Sequence, residues 1–212
     1  MGDEGLASPA RDDVRLMIGK GAPNLVAKAL RWHADGAQGP VSLDDSVDPI
    51  SQVEAAQHGR LLQGFFHHYA GLHHRHESTA RVYDGVAFCL KVLSDMGTRM
   101  AVVTNKRHTF AEAVLEQVGL RRHFQFLVGG DTCERRKPDP MPLHHACQRL
   151  GVAHPTVLMV GDSVNDVQAA RAGGMSVVCV PYGYNEGLEV RSLDVDAIVE
   201  TLLQAADFID PL

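Results

Sequence analysis

Between Met100 and Val180, four short apolar runs rich in β-branched residues alternate with segments of helical periodicity. The runs are Met100-Ala101-Val102-Val103, Phe126-Leu127-Val128, Thr156-Val157-Leu158-Met159-Val160 and Ser176-Val177-Val178-Cys179-Val180. The helical stretches are 84–96, 109–118, 142–150 and 163–172, closed by Gly97, Gly119, Gly151 and Gly173 at helix-stop positions. Parallel strands need crossovers of about this length, and such crossovers are right-handed. The pattern therefore predicts an α/β fold, a Rossmann-like parallel sheet with helices on both faces.

The first eighty residues read differently. From Asp12 to Arg75 the apolar spacing is helical throughout, with Leu25, Val26, Ala29 and Leu30 on one face and Leu61, Leu62, Phe65, Phe66 and Tyr69 on another. Pro23, just after Gly21, suits a first helical turn, and Asp35 to Pro49 reads as a loop. The expected organisation is an all-helical module over residues 1–79 followed by an α/β module over residues 80–212.

Composition excludes several classes. With 45% hydrophobic residues among 212, the chain has enough apolar material for an ordinary core. Twenty Lys and Arg against 26 Asp and Glu give a net charge of −6, spread along the chain, so no nucleic-acid face is expected. No stretch approaches the roughly 18 apolar residues of a membrane span, and the first residues lack the basic-then-apolar order of a leader, which makes the cytoplasm the expected compartment. Cys89, Cys133, Cys147 and Cys179 form no CxxC pair and are expected to be reduced core residues.

In an open parallel sheet, ligands bind beyond the carboxyl ends of the strands, and the residues there are unusually polar. The first run ends in Thr104-Asn105-Lys106 and the third in Gly161-Asp162-Ser163-Val164-Asn165-Asp166, while Arg135-Arg136-Lys137-Pro138-Asp139-Pro140 opens the helix between them. A Thr hydroxyl with adjoining backbone N–H groups can cradle phosphate oxygens. A Lys supplies a compact positive charge for phosphate and carboxylate alike. Asp162, with Asp166 one helical turn on, suits Mg²⁺, which takes oxygen ligands. Taken singly, each has a plainer reading: Thr104-Asn105 as a helix cap, Lys137 as a loop lysine in water, and Asp162 and Asp166 as partners of a helix dipole. Together, in strand-terminal order, they describe a magnesium-assisted phosphoryl-transfer site.

The motifs VVTNK, RKPDP and GDSVNDVQAARAGG resemble, in this order, the second, third and fourth motifs of the haloacid dehalogenase superfamily. Leu16-Met17-Ile18-Gly19-Lys20-Gly21-Ala22-Pro23, Gly129-Gly130-Asp131-Thr132 and Tyr182-Gly183-Tyr184-Asn185 are similar to its phosphoglycolate phosphatase branch. The resemblance implies that Thr104 and Asn105 contact phosphate and that Lys137 stabilises phosphate and nucleophile. It implies a metal role for Asp162 and Asp166, supported by Ser163 and Asn165. The helical module is then implied to be a mobile cap, with Lys20 touching a substrate carboxylate. Related activities, on sugar phosphates, pyrophosphate, halides or phosphonates, and a non-catalytic phosphate- and metal-binding role, stand beside the phosphatase reading.

One departure is evident. The family opens with an apolar strand ending in Asp-x-Asp, whose first Asp attacks phosphorus and whose second is general acid and base. Asp12-Asp13 follows no apolar run, and Met1 falls within what resembles the first cap helix. The expectation is a late start or a shortened gene, and a chain that is inactive and poorly soluble as written, with a gap between the strands ending at Thr104 and Val160. The five histidines between Phe65 and His76 include no i, i+4 pair, so they are expected to be a solvated helix rather than a metal site.

Overall fold

The computed structural model describes residues 1–36, 52–74 and 79–209, and the chain divides into two compact units, 1–78 and 79–212. Most of the expected 35–49 loop and the end of the histidine-rich stretch lie outside the described residues.

The first unit is helical, with α1 (Arg11–Met17), α2 (Ala22–Ala34) and α3 (Gln52–His74). Pro23 occupies the first turn of α2, where its missing N–H leaves no helical bond unmade. Met17 and Ala29 form a small core with Leu25 and Trp32 packed on it. His58 of α3 bonds the Pro23 carbonyl of α2 at 2.8 Å. Phe65 stacks on Tyr69 within α3, with ring centroids 5.7 Å apart.

The second unit contains α4 (Val86–Asp95), β1 (Ala101–Val103), α5 (His108–Gln117), β2 (Phe126–Val128), α6 (Met141–Leu150), β3 (Leu158–Gly161), α7 (Val164–Ala172), β4 (Ser176–Cys179), β5 (Ala197–Ile198) and α8 (Leu202–Ala205). Every strand pair is parallel, β1 with β2, β3 with β4 and β4 with β5. The predicted parallel α/β architecture is what the chain adopts. β5 was not expected: it has two residues, too few to show a period. It is held by Asp196, which accepts from Val177 N–H at 2.7 Å and takes Arg171 of α7 in a bidentate pair.

The sheet comes in two pieces. Among the described residues one piece pairs β1 with β2 and the other runs β3-β4-β5, so β1 and β3 each have one side without a ladder partner, and this is the break. Burial follows the break: β2 is buried at every position, whereas every residue of β1 and β3 is only half-buried. One core cluster nevertheless spans the break, because Val103 of β1 and Met159 of β3 both pack against the cluster that contains Leu143, Cys147, Val167 and Val177.

The stop after α7 falls one residue later than expected. Gly173 keeps a right-handed conformation and Gly174 takes the left-handed one, at φ 70°. A Cβ at Gly174 would meet nothing within 4 Å, so the backbone angle alone sets the requirement for glycine there. Gly174→Ala is expected to lower stability by about 1–2 kcal/mol, and Gly174→Asn by less, as read by urea denaturation. An unchanged midpoint for Gly174→Ala would refute this account of the helix end.

Candidate active site

The polar residues that follow β1 and β3 meet around one buried ammonium. Lys137, 6% exposed, lies ahead of α6 and sends its Nζ across the break in the sheet. There it donates to the Val103 carbonyl at the end of β1 and to Asp166 Oδ1 in the first turn of α7, each at 2.6 Å. An ammonium has three donors, so one remains. Asn105 holds the Lys137 backbone from the other side, donating from Nδ2 to its carbonyl at 2.9 Å. That end of the Asn105 amide is thus engaged with the backbone that carries Lys137.

Asp166 is 4% exposed and fully engaged. Oδ1 faces Lys137, while Oδ2 accepts from the backbone N–H of Asp162 and Ser163 and from Ser163 Oγ. Ser163 and Asp166 form a reciprocal cap on α7. Gly161 lets this happen, since a Cβ there would stand 2.4 Å from Asp166 Cβ. The Asp166 carboxylate thus meets both Lys137 and the start of α7.

Asp162 sits in a different state. Its Oδ2 accepts from Tyr184 N–H at 2.8 Å. Burial, with the negative charge of Asp166 added, pushes its carboxyl up to about 6. Burial also opposes ionisation of Asp166, but the Lys137 ammonium and the Ser163 hydroxyl outweigh it and hold that carboxyl below its usual range. The negative field reaches further. Cys179 at the end of β4 is pushed up to about 12, first by burial and then by Asp166 and Asp162.

At the end of β1, three backbone donors are taken from within the chain. Thr104 N–H continues the ladder to Val128 O, Lys106 N–H donates to Thr104 Oγ1 at 3.1 Å, and His108 N–H donates to Asp131 Oδ1 at 2.7 Å. What Thr104 retains is its own hydroxyl hydrogen. Lys20 belongs to the first unit, in the bend between α1 and α2.

The donor set suits a divalent cation. Asp162, Ser163 and Asp166 offer oxygen only, in a negative field, which matches a hard cation. Among the described residues no group of three or more His, Cys, Asp and Glu converges. Mg²⁺ does not need one, because it binds through one or two carboxylates and keeps waters and phosphate oxygens for the rest. Asn165, 1% exposed in the first turn of α7, has no hydrogen-bond partner for either amide atom. A buried amide left unpaired costs about 1–3 kcal/mol, so this turn is suited to a further polar group.

Parallel strands with polar carboxyl ends, and a buried lysine–aspartate pair beside a second aspartate, define a phosphoryl-handling α/β hydrolase. The sequence pattern of the family "Haloacid dehalogenase-like hydrolase" matches residues 42–180, and the chain belongs to that family. A phosphoglycolate phosphatase of Thiobacillus denitrificans is 38% identical over 206 residues, 97% of this chain and 83% of the relative. One from Nitrosospira multiformis is 50% identical over 129 residues, 61% of this chain and 57% of its own length. A crystal structure of a predicted phosphoglycolate phosphatase from Haemophilus somnus superposes with a TM-score of 0.81 at 28% identity, covering 98% of this chain and 85% of that one. Curated relatives and fold agree that this is an enzyme of phosphatase type.

A carboxyl raised on folding opposes stability where it is ionised. The penalty from Asp162 is therefore absent below the unfolded value near 3.8, grows through about 6 and is complete above it. Asp162→Asn is expected to stabilise the metal-free protein by up to about 2 kcal/mol at pH 7.5, with the gain shrinking towards zero as pH falls to 4. Denaturant titrations at several pH values measure it, and a gain independent of pH would contradict the assigned state of Asp162.

Proposed function

We propose that this chain is a magnesium-dependent phosphomonoesterase of small phosphorylated acids, with 2-phosphoglycolate as its substrate. The observation that carries the proposal is the Lys137 ammonium, shared at 2.6 Å between Val103 O and Asp166 and set beside the raised carboxyl of Asp162. The names of the relatives support the choice of substrate, and we assign the reaction to carbohydrate metabolism in the cytoplasm.

Asp162 would hold Mg²⁺, with Ser163 and Asn165 nearby and Asp166 acting through Lys137. When bound, Mg²⁺ supplies positive charge against the phosphate oxygens. Lys137 directs its remaining N–H at the phosphate, and Asn105 keeps Lys137 in place. Thr104 donates its hydroxyl hydrogen to a phosphate oxygen. These groups bind and neutralise; none of them attacks. Asp166 is committed to Lys137 and Ser163, and Asp162 to the cation.

The aspartyl-phosphate route therefore needs a further carboxylate. We assign it to an Asp-x-Asp strand of the kind the family carries, lying parallel between β1 and β3. The helical unit is assigned as the cap and Lys20 as the group that meets the substrate carboxylate. Closure of such a cap would exclude water and select the acid.

The test is phosphate release from 2-phosphoglycolate with Mg²⁺, on the 212-residue chain and on a form extended at its amino end by such a strand. Release is expected from the extended form alone and is expected to disappear with EDTA. Turnover by the 212-residue chain equal to that of the extended form would overturn the assignment of the nucleophile. Silence of both would overturn the substrate.

A further inference from the structure

The loop that follows β4 makes contacts that the phosphate-binding and cation-holding roles do not use. From Cys179 the chain continues the ladder once, Val180 N–H donating to Gly161 O at 2.9 Å, and then turns through Tyr182-Gly183-Tyr184-Asn185-Glu186. This turn lies directly on Asp162. Tyr184 N–H donates to Asp162 Oδ2 at 2.8 Å. At Gly183 the approach is closer still, for a Cβ there would stand 2.1 Å from Asp162 Oδ2 and 2.2 Å from its Cβ. No real Cβ tolerates such distances, so any side chain at 183 must displace either the carboxylate or the loop.

Asn185 fastens the same loop to the helix that carries the site. It is 7% exposed, and its Oδ1 accepts from Val164 N–H, the first residue of α7, at 2.7 Å. Its Nδ2 donates to Leu188 O at 3.0 Å, and Leu188 N–H returns a bond to Asn185 O at 2.8 Å. The next residue, Glu186, is buried at φ 51°, a left-handed conformation that a non-glycine residue holds only when its surroundings impose it. The loop is therefore pinned at both ends of the residue pair Tyr184-Asn185. It grips the β3–α7 junction, with Asp162 beneath Tyr184 and Val164 beneath Asn185.

Seen from α7, the division of labour is complete. Asp166 takes the N–H groups of Asp162 and Ser163, and Asn185 takes that of Val164. Three consecutive backbone donors at this helix start are consumed from within the chain. Their effect is to fix the junction rather than to bind an anion. An oriented carboxylate gains cation affinity because its rotamer is not lost on binding, and outer partners of this kind change affinity by about 10–100-fold.

The geometry points to Gly183 and Asn185 as positioning residues for Asp162, Gly183 by admitting the backbone to the carboxylate and Asn185 by locking that backbone to α7. The inference rests on reading Asp162 as the cation-holding carboxylate, but it concerns different residues. It also separates the two roles: Gly183 sets the distance and Asn185 the rigidity.

The experiment is a Mn²⁺ titration of the full 212-residue chain followed by electron paramagnetic resonance of the free ion, without substrate. Gly183→Ala and Asn185→Ala are each expected to weaken Mn²⁺ binding by about tenfold or more. Gly174→Ala, which destabilises the other end of α7 without touching Asp162, is expected to leave Mn²⁺ affinity unchanged and so controls for general loss of stability. If Gly183→Ala does not fold, Asn185→Ala decides. Folded variants that bind Mn²⁺ like the unaltered chain overturn the positioning role while leaving the cation reading intact, as does an equal loss in Gly174→Ala. An unaltered chain that binds no Mn²⁺ overturns the cation reading and this inference with it.

Discussion

The buried contact of Lys137 with Asp166 and Val103 is the interaction on which the second unit turns. Removing one member of a buried ion pair leaves an uncompensated charge and costs about 3–5 kcal/mol. Here the loss would be compounded, because the ammonium also satisfies a strand carbonyl that has no ladder partner. Thr104 N–H and Met100 O face β2, so by the alternation of a parallel ladder the Val103 carbonyl faces the break. Lys137 thus gives that carbonyl a donor and ties the two pieces of sheet through a side chain.

Two aspartates four residues apart are driven in opposite directions by their surroundings. Asp166 has a cation, a hydroxyl and two N–H groups, enough to overcome burial. Asp162 has one N–H, the same burial problem and a like charge nearby. The pattern, in which environment rather than residue type assigns the ionised and the reluctant carboxyl, is how one site obtains two electrostatic roles from one kind of side chain. The reluctant member is the one with most to gain from an arriving cation.

The strand-and-helix order of the second unit was legible because each apolar run and each helical face is long enough to show its own period. β5 was not, since two residues carry no pattern and its anchor, Asp196, acts through a partner nineteen residues away. At the site, the residue types and their strand-terminal positions could be read, but their wiring could not. Asn105 beside Thr104 looks like a ligand contact, and only the fold shows its amide reaching Lys137 across 32 residues. Lys137 itself, between two arginines and a proline, has the local signature of a solvated loop. Its burial is wholly tertiary. The Ser163-x-x-Asp166 spacing did contain the capping box, which a dipole argument alone passes over. A glycine between two tyrosines just past a strand end was the available sign that backbone approaches something closely at 183.

The break between β1 and β3 divides each of these strands by residue. Val102 turns its backbone groups towards β2 and Met159 towards β4, whereas Ala101, Val103, Leu158 and Val160 turn theirs towards the break. Solvent exchange of amide hydrogens along β1 and β3 should then alternate, slow and fast in successive residues of a single strand. Such a two-residue rhythm, absent from a strand bonded on both sides, would report the occupancy of that slot directly, whatever comes to fill it.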